Sequence, residues 1–284
     1  MPRERAVIAT IAAVLGIAPV AVAQAVLFEN GPLSGMPGGH ETGADLVWSV
    51  PEGASVGVSG RREVGYSLAE RIEIDAAGSI RGVTVFAYQQ GAIAGPTIDF
   101  LGVELWDGPP GAPGSVRIAG DAESNALADA EFAGAYAAVF GVTHTTDRPV
   151  FALTASDLDW DIDAGTYWVA WELDGTLDGG PYSPYLGSAS EPVPGGALQR
   201  VLGVWVPARN ASSDGVQVSL PIVVSGDSAC TGDCDGDGSL AIFDFLCFLN
   251  AYEAGDASAD CTGDGSLTVE DFVCFGDAFA AGCP

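Results

Sequence analysis

The stretch Asp233-Cys234-Asp235-Gly236-Asp237-Gly238-Ser239-Leu240-Ala241-Ile242-Phe243-Asp244 decides how the C-terminal part of this chain folds. It places carboxylates at positions 1, 3, 5 and 12 of a twelve-residue loop, glycine at 6 and an apolar residue at 8. A hard divalent cation such as Ca2+ needs oxygen ligands converging on one point, and a loop of this length supplies them from those positions. The turn at position 6 needs glycine, and position 7 offers its backbone carbonyl. Asp233, Asp235, Asp237 and Asp244 are therefore the expected carboxylate ligands, with Ser239 giving its carbonyl. A shift of register by two puts Leu240 at position 6 and loses the glycine, so one register stands.

A second copy follows at a constant offset of 27 residues: Asp260-Cys-Thr-Gly-Asp-Gly-Ser-Leu-Thr-Val-Glu-Asp271. Asp260, Asp264 and Asp271 fill positions 1, 5 and 12. Thr262 takes position 3, where a hydroxyl or a water must serve, and Ser266 takes position 7. Outside the loops, Cys234 matches Cys261, Phe245 matches Phe272, Cys247 matches Cys274 and Phe248 matches Phe275. Isolated Asp-Gly runs are common solvated turns. A repeat that keeps ligands, glycine, cysteine and phenylalanine in step is not explained that way. Two Ca2+ ions are expected, the first loop binding more tightly because it brings four carboxylates against three.

Spacing separates this pair from a helix-loop-helix sensor. Fifteen residues, Phe245 to Ala259, lie between the loops. A helix from about Ile242 to Tyr252, with Phe245, Phe248 and Leu249 on one face, uses most of them, and Gly255 ends it. No length remains for an entering helix, so each unit is one loop and one helix. A Ca2+-driven opening that exposes a groove has no helix pair to work on.

These residues resemble a known family. Two loop-helix repeats with Asp at position 12 look like a dockerin. More narrowly, Asp237-Gly238-Ser239-Leu240, Ile242-Phe243-Asp244-Phe245-Leu246 and Ala281-Gly282-Cys283 resemble the bacterial GC-type dockerin, over about a fifth of the chain. The resemblance implies a calcium-dependent module that docks onto a cohesin-like receptor on a scaffold or cell surface. In that family, loop positions 10 and 11 read the partner. Here these are Ile242-Phe243 and Val269-Glu270, where the family usually has a small hydroxyl pair. For the cysteines, six of which allow 15 pairings, repeat equivalence suggests Cys234–Cys247 and Cys261–Cys274, with Cys230–Cys283 as a clasp across the ends. Zinc is disfavoured because this segment holds no C-x2-C and no histidine.

Outward from the module, the rest of the chain reads differently. The formal net charge is -28, and all ten basic residues are arginine. That balance argues against nucleic acid, which requires a cationic footprint. Residues 1–23 read as a signal peptide: Arg3 and Arg5, then an apolar run from Ala6 to Val22, then overlapping small-x-small cleavage sites at Ala21–Ala23 and Ala23–Ala25. The apolar run is 17 residues with Gly16 and Pro19 inside it, short for a membrane span. The mature protein is thus expected to be secreted or associated with the cell surface, without a membrane span. Residues 24–44 read as a Gly/Pro-rich arm, 45–225 as a β domain and 226–284 as the calcium module.

Within 45–225, short β-branched and aromatic runs separated by Gly, Pro and Asp predict an antiparallel β-sandwich, jelly-roll-like. The expected strands are Arg71–Ile74, Ile80–Tyr88, Leu101–Trp106, Ser115–Ile118, Ala135–Val142, Val150–Leu153, Gly165–Leu173, Leu198–Val206 and Val216–Val224. Glu123–Ala133 reads as a short helix or a loop. The turn Trp106-Asp-Gly-Pro-Pro-Gly-Ala-Pro-Gly114 and the strand Gly165-Thr-Tyr-Trp168 loosely resemble exported bacterial sandwich proteins of unassigned function.

Three roles compete for this domain: inert cargo, carbohydrate binding and glycoside hydrolysis. Trp48, Trp106, Trp168, Trp171, Trp205 and Tyr182 are candidates for stacking on a polysaccharide. Trp168 and Trp171, three apart on a strand, must face opposite sides. With His40 and His144 as the two histidines, triads built on histidine are poorly supplied, and no carboxylate pair stands out for hydrolysis. Asp157, Asp159, Asp161 and Asp163 read as a solvated face. A non-catalytic cargo is the expected role.

Overall fold

The computed structural model describes residues 25–33, 35–50, 57–93, 95–139, 144, 146–186, 195–209, 215–228, 232–235, 240–262 and 265–282. The expected signal peptide lies outside them. The chain is mainly β, with two helices near its C-terminal end. The first strands are β1 (Ala25–Glu29), β2 (Asp45–Val50), β3 (Val58–Ser59), β4 (Ser67–Ile74) and β5 (Gly78–Ala87). Next come β6 (Ile98–Trp106), β7 (Arg117–Asp121), β8 (Leu127–Val139), β9 (Pro149–Ala155) and β10 (Trp160–Ile162). The series ends with β11 (Gly165–Gly175), β12 (Tyr182–Ser183), β13 (Leu198–Val201), β14 (Val204–Pro207) and β15 (Ile222–Ser228).

One sheet runs β1-β15-β5-β9-β8-β2 with β10 beside β5; a second runs β14-β13-β4-β11-β6-β7; β12 and β3 form a small pair. The inner faces share one apolar cluster. Val83 and Val85 of β5, Leu153 of β9 and Ile222 and Val224 of β15 meet Ile72 of β4, Leu105 of β6 and Val169 and Trp171 of β11. Alternate residues of each strand enter this cluster, as the period of two requires. The notable intruder is Glu70, on the inward face of β4 and buried.

The structure corrects several sequence expectations. Pairing is antiparallel except between β2 and β8, which run parallel. Strand direction is a property of the connection, and no local pattern encodes it. Ala25–Glu29, inside the stretch read as an arm, is the edge strand β1 pairing with β15. Most of Glu123–Ala133 is neither helix nor loop but the first half of β8, which pairs along β9 and is interrupted by a register shift. Its run of Ala, Glu and Asp has low strand propensity, and the partner strand overrides it. Leu198–Val206 is two strands: Leu202 (φ 50°) and Gly203 (φ 86°) make a two-residue turn joining β13 to β14. That is the left-handed pair of a tight hairpin.

The C-terminal part contains α1 (Ile242–Ala254) and α2 (Val269–Ala281), each 13 residues long and offset by 27. Gly255 caps α1 in the left-handed conformation (φ 70°), and only a single 3-10 turn, Ala257–Ala259, follows before the second loop. Among the described residues, no α-helix lies between β15 and the first loop or between Gly255 and the second. No helix among the described residues is long and apolar enough to cross a membrane.

Candidate metal centre

The helices of the two units meet through repeat-equivalent residues. Phe248 and Phe275 stack on each other, with ring centroids 4.2 Å apart and planes at 8°. Phe245 lies edge-on to Phe272 at 5.7 Å. A residue packing on its own equivalent marks a pseudo-twofold relation, as at a self-complementary dimer interface. Phe248, Ala259 and Phe275 are buried, and Leu267 packs against them. Two disulfides tie each loop to its own helix: Cys234–Cys247 and Cys261–Cys274, each closing a sequence separation of 13. Both are the repeat-equivalent pairs expected from sequence. Cys230 and Cys283 lie outside the described residues.

The aspartate at position 12 is built the same way in both copies. Asp244 Oδ2 accepts from the Ala241 N–H (2.7 Å) and Oδ1 from the Asp235 N–H (3.2 Å). Asp271 Oδ2 accepts from the Thr268 N–H (2.7 Å) and Oδ1 from the Thr262 N–H (3.0 Å). Each carboxylate therefore clamps its helix N-terminus to the start of its loop. Both are buried and sit at the third helical position, where the helix dipole favours negative charge. These donors stabilise the charged form. The Ala241 N–H, then the Asp235 N–H, holds Asp244 below the ordinary carboxylate range; the N–H groups of Thr268 and Thr262 hold Asp271 at about 2.

In the first copy Asp233, Asp235 and Asp244 converge, with ligand oxygens all within 4.8 Å of one another. Oxygens bound to one cation at 2.3–2.6 Å can be no further apart than roughly twice that length. The donor set, carboxylate oxygens only, suits a hard cation and could hold one. In the second copy Asp260 Oδ2 accepts from the Gly265 N–H at 2.7 Å, and Gly265 has φ 80°. This is the left-handed turn that position 6 was expected to require of glycine. The Thr262 hydroxyl donates to Asp271 Oδ1 at 2.9 Å, and Ser266 is exposed. Asp237, Ser239 and Asp264 lie outside the described residues.

One residue of this site escaped the sequence reading. Thr268 caps α2, its Oγ1 accepting from the Glu270 N–H at 3.3 Å while Asp271 reaches back to it. The signal was present as Thr268-x-x-Asp271, a capping-box pattern. Ala241, its equivalent, has no side-chain acceptor, so in α1 only Asp244 performs the cap.

The proposed partner-reading residues open the helices and point outward. Ile242, Phe243 and Val269 are each about two-thirds exposed, and Glu270 is exposed as well. Leu246 and its equivalent Val273 extend the apolar stripe one turn further.

In the β region, Trp171 is buried in the core, and Trp168, Trp106 and Trp205 lie on the opposite face of that sheet. Tyr182 packs on Tyr88, and the side chain of Trp48 is not among those described. Asp157, Asp159, Asp161 and Asp163 are exposed, as expected for a solvated face. Comparison with protein-family models, curated proteins and solved structures returns no match for this chain.

Proposed function

We propose that residues 226–284 form a dockerin-type module whose two loop-helix units each bind one Ca2+. In this reading the module docks onto a cohesin-like receptor outside the cytoplasm and carries a jelly-roll-like β-sandwich as its non-catalytic cargo. The observation that carries it is the duplicated position-12 aspartate, which in both copies closes its loop onto its helix with the same hydrogen bonds. Asp233, Asp235 and Asp244 would hold the first ion, Asp260, Thr262 and Asp271 the second, with Asp237, Ser239, Asp264 and Ser266 completing the loops. Bound Ca2+ would neutralise carboxylates that otherwise repel one another and so lock the loops. Exposed Ile242 and Val269, related by the repeat, support a docking face that reads the same from either unit.

Calorimetric titration of the full chain with Ca2+ tests the metal reading. Asp244→Ala should abolish the tighter of two binding events and Asp271→Ala the weaker; equal losses, or no binding by the parent, overturn it. Capture of an exported cohesin domain on the immobilised full chain should require Ca2+ and fail for Ile242→Asp/Val269→Asp.

A further inference from the structure

The six-stranded sheet carries a small cavity on the face turned away from the core. Alternation along β11 sends Val169, Trp171 and Leu173 inward and leaves Trp168, Ala170 and Glu172 on the outer face. Register extends that face sideways. Glu104 stands opposite Ala170 and Trp106 opposite Trp168, while Arg200 stands opposite Ser67 and Trp205 opposite Arg200. The outer face of an antiparallel sheet is ordinarily solvated, yet Ser67, Ala69, Ala170 and Glu172 are all buried.

The loop of residues 107–116 reaches Trp205 on this face. A Cβ built on Gly111 would stand 2.7 Å from Trp205 Cδ1, and Gly111 has φ 80°. The loop therefore leaves β6, near one edge of the sheet, and reaches β14 at the other edge. The same face holds a cavity of about 90 Å³ lined by Glu104, Trp106, Glu172, Arg200 and Trp205. At about 30 Å³ per water it holds roughly three waters, room for the hydroxyl-bearing edge of a sugar ring.

Its polar groups are placed but incompletely used. The Glu172 side chain is 4% exposed. Its Oε1 accepts from the Ser67 hydroxyl at 2.7 Å and from Arg200. Among the described residues its Oε2 accepts no hydrogen bond and faces Arg62 Nε at 3.7 Å. Arg200 Nε is buried and also lacks a partner among the described residues. Glu104 accepts from Trp106 Nε1 at 3.0 Å and from Arg117 at 2.8 Å.

Each carboxylate is thus matched by an arginine, so neither a cation nor an anion is called for. What is missing is a group that donates to a carboxylate oxygen and accepts from a guanidinium. Among neutral groups, a hydroxyl does both. Two indoles in the lining offer apolar faces for the C–H face of a ring. We propose that this cavity takes the hydroxyl-bearing edge of one neutral pyranose unit of a glycan, Glu172 and Arg200 reading its hydroxyls and Trp106 and Trp205 flanking its apolar face.

The test is tryptophan-fluorescence titration of the full chain with glucose, galactose, mannose, xylose and N-acetylglucosamine up to about 10 mM, alongside electrophoresis in gels containing xylan or laminarin. At least one probe should bind, equally in Ca2+ and in EDTA, which separates this site from the metal loops. Trp205→Ala, and independently Glu104→Gln, should weaken binding at least about tenfold with the melting profile retained. The proposal is overturned if no probe binds, or if binding survives both substitutions.

Discussion

The β region and the C-terminal module hold themselves together by opposite means. The β region joins two sheets through one large apolar cluster, and no disulfide is seen among its described residues. Among its described residues the module buries only Phe248, Ala259 and Phe275 as apolar core and adds two disulfides and two aspartate clamps. A small core cannot offset the chain entropy alone, so cross-links and charged anchors take its place.

Buried carboxylates make the same contrast. In the β region Glu70 accepts from the N–H groups of Leu220 (2.6 Å) and Arg71 (3.1 Å) and from the Ser219 hydroxyl (3.2 Å). Burial outweighs these donors and pushes Glu70 up to about 7. In the module, N–H donors at a helix start outweigh burial and hold Asp271 at about 2. The balance between donors and desolvation, rather than burial itself, sets the sign.

Four perturbations should act unequally on the two parts. Phe275→Ala removes half of the aromatic stack and should cost about 3–5 kcal/mol. All six tryptophans lie in the β region, so the helical circular-dichroism signal should melt early while the tryptophan-fluorescence midpoint stays put. A joint shift would show that the two parts fold as one.

Removing Cys261–Cys274 by double serine substitution should cost about 3 kcal/mol, as expected for a loop of this length. Thermal melts of the module in EDTA would read it, and the loss should shrink when Ca2+ is added and binds the folded form.

Acid should move the two parts in opposite directions. Glu70 holds its proton more tightly folded than unfolded, so its charge costs stability above about pH 7 and nothing below its ordinary 4.5. The β region should therefore gain up to about 2–3 kcal/mol on acidification through that window. Glu70→Gln should abolish most of the gain in fluorescence-monitored melts. Asp271 is the reverse: its contribution is complete above its ordinary 3.8 and is lost as pH falls to about 2. The module in EDTA should thus lose its helices first in strong acid.

The smallest effect concerns the asymmetry between the copies. Ala241→Thr would give α1 the side-chain cap that Thr268 gives α2, and should stabilise the module by about 0.5–1 kcal/mol. No change in its melting midpoint would mean that Asp244 already satisfies the helix start.

Much of the module was legible because its information is local. Ligand spacing, the glycine turn, the 27-residue period, the length of α1 and the two disulfide pairings all follow from residues close in sequence. The strands of the β region were legible as apolar runs, with errors where composition misled, as at residues 127–133, or where a two-residue turn cut a run in two, as at Leu202-Gly203.

By itself, then, the sequence determined the two loop-helix repeats, their candidate ligands and the mainly β character of the rest. The parallel β2–β8 pair, the docking of β1 against β15, the inward placement of Glu70 and the convergence of Glu104, Glu172, Arg200 and Trp205 on the outer face of the second sheet emerge only in three dimensions. Each joins residues far apart in the chain, and strand order and register, on which such meetings depend, are chosen by the best burial of the whole set rather than by any local pattern.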